Sequence, residues 1–209
     1  MAQSSPKDAA QSFFDAIAER RWHDATALVD PEQLGPYREE TLAMLVTWAQ
    51  QRAAVQEMRR KKEKDGDAMV GWSTDGRLDP QLLSRYGDMP LPIAPGVRTL
   101  RDLAALPPAE FMARVFEASD LRSDERLGGV SATFTRRILG AVADGDSTAH
   151  VLYRSEGPGV RYEDPLHAEL LPTVRRGDRW YVHRSRWEQD FGSLSLVMLR
   201  LDFLEGERE

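Results

Sequence analysis

Residues Thr135 to Arg186 read TRRILGAVADGDSTAHVLYRSEGPGVRYEDPLHAELLPTVRRGDRWYVHRSR, and this stretch decides the fold class. Ala143-Asp144-Gly145-Asp146 is a two-residue hairpin signal, flanked by the alternating segments Thr135–Val142 and Ser147–Ser155. A second hairpin joins His167–Arg175 to Arg179–Arg186 around Arg176-Gly177-Asp178, with Glu156–Pro165 as the link. The expectation is four antiparallel strands. The following apolar run, Leu194–Leu204, alternates like a strand but is rich in leucine like a helix.

Upstream of this stretch the pattern is helical. Ser5 before Pro6 is an N-cap followed by proline in the first turn, and Phe13, Phe14, Ile17 and Ala18 recur at helical spacing to about Arg20. Trp22, Ala25, Leu28 and Val29 continue as a short second helix, which Asp30-Pro31 stops. From Tyr37 to about Lys64 there is no Gly or Pro, and Leu42, Leu45, Trp48, Arg52 and Val55 form one stripe of a long helix. Its basic end, Arg59 to Lys64, complements the helix dipole and is read as a solvated terminus. Asp67–Pro95 reads as an ordered loop or lid with a helical turn near Pro80–Tyr86, Thr99–Leu106 as a short helix, and Pro107-Pro108 as the start of another carrying Phe111, Met112, Val115 and Phe116. The predicted core includes Phe13, Phe14, Ile17 and Phe116. Trp48, Trp72, Trp180 and Trp187 are read as core or interface anchors.

Composition narrows the function. The 209 residues are 41% hydrophobic and 30% charged, the balance of one folded domain over 1–209. With no cysteine, thiolate nucleophiles, disulfides and cysteine-ligated metals are excluded. A net charge of −6 argues against a nucleic-acid partner, whose phosphates are bound by accumulated cations. Arginine supplies 24 of the 28 basic residues, which with abundant Ala, Asp and Glu is the composition of a GC-rich bacterial genome. Met1–Ala10 is polar and no apolar run reaches membrane-spanning length, so no membrane partner is expected and the expected location is cytoplasmic.

Helices followed by antiparallel strands form an α+β order. The segment Ala10–Val29, with Phe13, Phe14 and Trp22, and the strand Asp178-Arg179-Trp180-Tyr181-Val182-His183-Arg184-Ser185 resemble the nuclear transport factor 2-like superfamily, which includes SnoaL-like and ketosteroid isomerase-like proteins. The resemblance implies N-terminal helices on a curved, cone-like antiparallel sheet, here with a long helix and loop inserted at about 37–98. It also implies a pocket between helices and sheet. Members include enzymes, small-molecule binders and dimeric adaptors, so the fold assigns no reaction.

A two-residue Asp144-Gly145 loop pairs Ile138 with Val151 and Leu139 with His150, placing Ile138, Val142, Ala149, Val151 and Tyr153 inside and His150 outside. In the second hairpin the apolar row of the first strand is Ala168, Leu170 and Val174. A two-residue turn sets this row beside Tyr181 and His183, and a three-residue turn sets it beside Trp180 and Val182. The candidate ligand-binding residues are therefore Tyr153, Val151, Tyr181 and His183, with His183 and Tyr181 as candidate acid–base catalysts. Against this, His183 has no carboxylate identifiable by spacing, and a sheet histidine and packing tyrosines account for the same residues. His23, His150, His167 and His183 are scattered and form no metal-ligand motif, and no phosphate-binding glycine loop occurs, so no metal or cofactor is expected. The favoured function is a non-catalytic small-molecule-binding or assembly module, with an apolar ligand or a second copy as partner. The alternative is a cofactor-independent lyase, isomerase or hydrolase. Assembly is suggested by the outward Leu139 and Leu152, with Trp180 beside them in one of the two turn registers, and by Leu194–Leu204, which call either for a homodimer to cover them or for the terminal run to fold back as an extra strand or helix on its own sheet.

Overall fold

A computed structural model describes residues 4–60, 77–120, 135–156 and 168–183, and these form an α+β arrangement. Helix α1 spans Pro6–Ala18, with Ser5 Oγ accepting the Asp8 N–H at 3.2 Å and Pro6 in the first turn. It is closed by Arg20 in the left-handed region at φ 59. Its buried face is Ala9, Ala10, Phe13, Phe14, Ala16 and Ile17.

After the short α2 (Trp22–Thr26) the chain turns directly into α3 (Pro31–Arg60). The long helix thus begins at Pro31 and not at Tyr37, a correction with a local cause. Asp30 Oδ1 accepts the Glu32 N–H at 3.2 Å, and Pro31 needs no hydrogen-bond partner in a first turn, so the dipeptide that ends one helix also starts the next. Pro36 is carried inside α3 at the cost of one backbone hydrogen bond.

Beyond α4 (Pro80–Tyr86) lies a hairpin where a loop is expected from sequence: β1 (Pro90–Ala94) pairs antiparallel with β2 (Val97–Thr99), and Gly96 at φ 81 makes the turn. Thr99 then caps α5 (Leu100–Ala104) in a reciprocal box with Asp102, and α6 covers Pro108–Ser119. The expected core residues Phe13, Phe14, Ile17 and Phe116 are all buried, and Phe13 meets Phe116 edge-on at 6.0 Å. The 37–98 segment joins the same core through Tyr37, Leu42, Leu45, Trp48, Leu91 and Val97.

Four strands, β3 (Thr135–Ala143), β4 (Thr148–Glu156), β5 (Glu169–Arg176) and β6 (Arg179–Val182), form an open antiparallel sheet in chain order. The two expected hairpins are present. At β6 the sheet is continued by the α2–α3 joint: Val182 donates to Leu28 O at 2.8 Å, and Asp30 donates to Val182 O at 2.9 Å. That backbone pairing covers this edge of the sheet.

The first hairpin corrects the expected register. Ala143 lies opposite Ala149, and Asp144 donates to Thr148 O at 2.9 Å, so the loop is longer than two residues. Further out, Ile138 lies opposite Tyr153 and Gly140 opposite Leu152, with Leu139 the extra residue of a bulge. Because a bulge reverses side-chain parity, Ile138 stays inside as expected. Val142 moves to the outer face opposite His150, where it is 58% exposed.

In the second hairpin Arg176 faces Arg179 across a two-residue Gly177-Asp178 turn. Val174 therefore lies opposite Tyr181, and His183 donates its N–H to Pro172 O at 2.8 Å. Leu170 and Val174 share a face with Tyr181 and His183, but it is not the face that meets the helices. The inner row is Leu171, Thr173 and Val182, all buried, with Val151 and Tyr153 beside it on β4.

Candidate functional site

The Asp30 carboxylate gathers the charged groups at the β6 edge. It is fully buried, and Arg176 binds it in a two-toothed grip, Nε to Oδ1 at 3.2 Å and Nη2 to Oδ2 at 2.8 Å. His183 Nδ1 lies 3.2 Å from Oδ2, and the Glu32 N–H supplies a fourth contact. Arg176 Nη2 also reaches Glu32 Oε2 at 2.7 Å. Burial by itself pushes the Asp30 carboxyl up. The Arg176 hydrogen bonds, the Glu32 N–H and His183 outweigh it and hold the group below the ordinary aspartate range. The Asp30 contact in turn raises Arg176.

An ionised carboxylate only accepts hydrogen bonds, so the proton of the His183–Asp30 contact sits on Nδ1 and neutral His183 keeps its lone pair on Nε2. The ring is 36% exposed. This is the tautomer a general base requires. The same contacts also have a structural use. They join the α2–α3 joint to β5 and β6, and Asp30 spends both oxygens on the clamp.

The other candidates do not converge on His183. Val151 and Tyr153 lie on the inner face, 0% and 2% exposed. Tyr153 packs at a tilt against Phe14 with ring centres 4.9 Å apart, and its hydroxyl donates to Glu169 Oε2 at 2.9 Å, while Ser155 Oγ donates to Glu169 Oε1 at 2.9 Å. Tyr181 is on the outer face with the Arg179 guanidinium 5.0 Å from its ring centre. Since opposite faces of a sheet do not share a pocket, the four residues expected to line one cavity fall into two separate pairs. Trp48 is buried and Trp180 half-buried, whereas Trp72, Trp187, His167 and the Leu194–Leu204 run lie outside the described residues. Asp30, Arg176 and Glu169 are not among the candidates expected from sequence. Only Asp30 carries a local signal, an Asp-Pro dipeptide at a helix start.

The outer face of the sheet holds Leu139, Val142 and Leu170, exposed at 43%, 58% and 42%, and Val174, which is buried at 7%. Across one row run Val142, His150, Pro172 and His183, and across the next Gly140, Leu152 and Leu170. Arg137 and Arg154 stand opposite each other toward one end, and Asp144 and Asp146 occupy the hairpin loop at the other. Among the described residues no three His, Asp or Glu side chains are grouped as a metal site, and no helix is long and apolar enough to cross a membrane. Comparison of the chain with protein-family models, curated proteins and solved structures finds no match to any of the three.

Proposed function

We propose that this chain is a non-catalytic assembly module of the nuclear transport factor 2-like kind, whose outer sheet face binds a second copy of itself. The observation that carries the reading is the exposure of Leu139, Val142 and Leu170 together on that face. Its charge layout is self-complementary. In a two-fold, face-to-face stacking with antiparallel hairpins, Arg154 and Arg137, the latter already paired with Glu156 at 2.9 Å, lie toward Asp144 and Asp146 of the other copy. Assembly is favoured over ligand binding because Val151 and Tyr153 are packed into the core. Light scattering at micromolar concentration and about pH 8 tests it, a condition in which imidazoles are neutral. The expected mass is twice 23.6 kDa, and Leu170→Asp is expected to give a folded monomer. A wild-type mass of 23.6 kDa that persists on concentrating overturns the reading.

One observation favours the enzyme alternative, the His183–Asp30 contact with its base-competent tautomer. The acid–base role would fall to His183, with Asp30 as its positioning residue and Arg176 as the counter-charge.

A further inference from the structure

We infer that His183 is an acyl-transfer nucleophile for activated esters with an apolar acyl chain, an inference that rests on the enzyme alternative and not on the dimer. The His183 Nδ1 proton is held by Asp30, whose carboxylate is fully buried, and among the described residues no hydrogen-bond partner reaches Nε2. The ring is 36% exposed, so the Nε2 lone pair meets what settles on the outer face. Pro172 stands in the same row, and Leu170, 42% exposed, is the diagonal neighbour of His183. A nucleophile with its orienting carboxylate therefore borders an apolar strip open to a hydrocarbon chain.

The charges nearby choose the reaction. Arg176 is held by Asp30 and Glu32, and Arg179 by the Tyr181 ring and Ala27 O, so neither is poised to neutralise a phosphoryl group or a poor leaving group. The step left to a lone nucleophile is attack on an acyl carbon whose leaving group departs unaided as a stable anion, as in an aryl ester or a thioester. Nε2 bonds to that carbon, and the aryloxide or thiolate leaves with the electron pair. The ring then carries the acyl group on Nε2 and the proton on Nδ1, and its positive charge lies against the Asp30 carboxylate. Water adds to the acyl carbon and gives a proton to solvent, and Nε2 leaves with its electrons, which frees the carboxylic acid and restores neutral His183.

The test is hydrolysis of p-nitrophenyl acetate and p-nitrophenyl hexanoate by the full chain at about pH 8, where imidazoles are neutral. Wild type is expected to favour the hexanoate about tenfold in kcat/KM, and His183→Gln to lose about tenfold or more on it. Acid quenching is expected to trap an acyl group on His183, read by peptide mass spectrometry. His150→Gln, which removes an imidazole beside an exposed carboxylate, is expected to match wild type. Asp30→Asn is expected to lower kcat with KM unchanged, because its amide faces Nδ1 once Arg176 takes the remaining oxygen, which moves the ring proton to Nε2. Circular dichroism is recorded for each variant, and His183→Gln keeps the test open should Asp30→Asn unfold. Equal rates for wild type and His183→Gln overturn the inference. Turnover that needs His183 but shows neither an acyl adduct nor a chain preference also overturns it and leaves the enzyme alternative standing, with His183 as a base. If diethyl pyrocarbonate modifies His23 and His150 but not His183, the Nε2 lone pair is out of reach and the enzyme alternative falls as well.

Discussion

Arg176 and Asp30, separated by 146 positions in the chain, form a two-toothed ion pair in which the carboxylate is fully buried and the guanidinium is 38% exposed. The asymmetry sets the energetics. The carboxylate has left water entirely and depends on its partners, whereas the arginine retains access to solvent. Backbone pairing of Leu28–Asp30 with Val182 runs alongside, so the last hairpin is fastened to the start of α3 by both main chain and side chains.

Asp30→Ala is expected to destabilise the protein by about 2–3 kcal/mol, below the cost of removing one member of a pair whose survivor stays buried, because Arg176 can rehydrate. Urea denaturation measures it. An unchanged midpoint and slope would show that the backbone pairing alone fastens the hairpin.

The same carboxylate gives stability a definite dependence on acid. Held below its ordinary range in the fold, Asp30 binds fewer protons folded than unfolded, so its contribution is complete above about pH 5 and is lost as pH falls through the folded value. Asp30→Asn should therefore flatten the low-pH limb of a plot of urea midpoint against pH. Parallel limbs for the two proteins would refute this assignment.

The helices were legible because their signals are local: Ser5-Pro6 and Pro107-Pro108 mark starts, and Phe13, Phe14 and Ile17 mark a buried face. Hairpin existence was local too. The faces of β5 were not, since Leu170 and Leu171 are equally apolar neighbours and the choice between them follows from pairing with β4. On β3 the bulge at Leu139 reverses parity partway along, which no alternation rule anticipates. The β1–β2 hairpin was hidden by Pro90 and Pro92, residues that argue against a strand in any sequence. His183 is a candidate from sequence, but its carboxylate partner Asp30 stands 153 positions away in the chain, where the local pattern marks only a helix stop.

Phe14 lies where helix meets sheet, 3% exposed, with Tyr153 at 4.9 Å and Phe13 at 6.3 Å. Phe14→Ala removes the ring from both contacts and should cost about 3–5 kcal/mol if the site does not collapse. Denaturant titration reads this directly, and a change within experimental error would mean that α1 does not pack on β4.

Gly177 controls which face of β6 receives Val182. It takes φ 62 at the first central position of the Arg176–Arg179 turn, and Asp178 does not share the positive φ, the pattern of a type II′ turn that suits the twist of a hairpin. A Cβ built on Gly177 meets nothing within 4 Å, so Gly177→Ala costs backbone strain alone, about 1–2 kcal/mol. Gly140 has equally open surroundings and no positive φ, and there Ala should be neutral or stabilising by up to about 1 kcal/mol. Urea midpoints for the two variants separate conformational cost from packing. Equal effects would remove the turn from the account of register. A loss confined to Gly177→Ala would tie the inward setting of Val182, and with it the reach of Arg176 to Asp30, to a single left-handed residue.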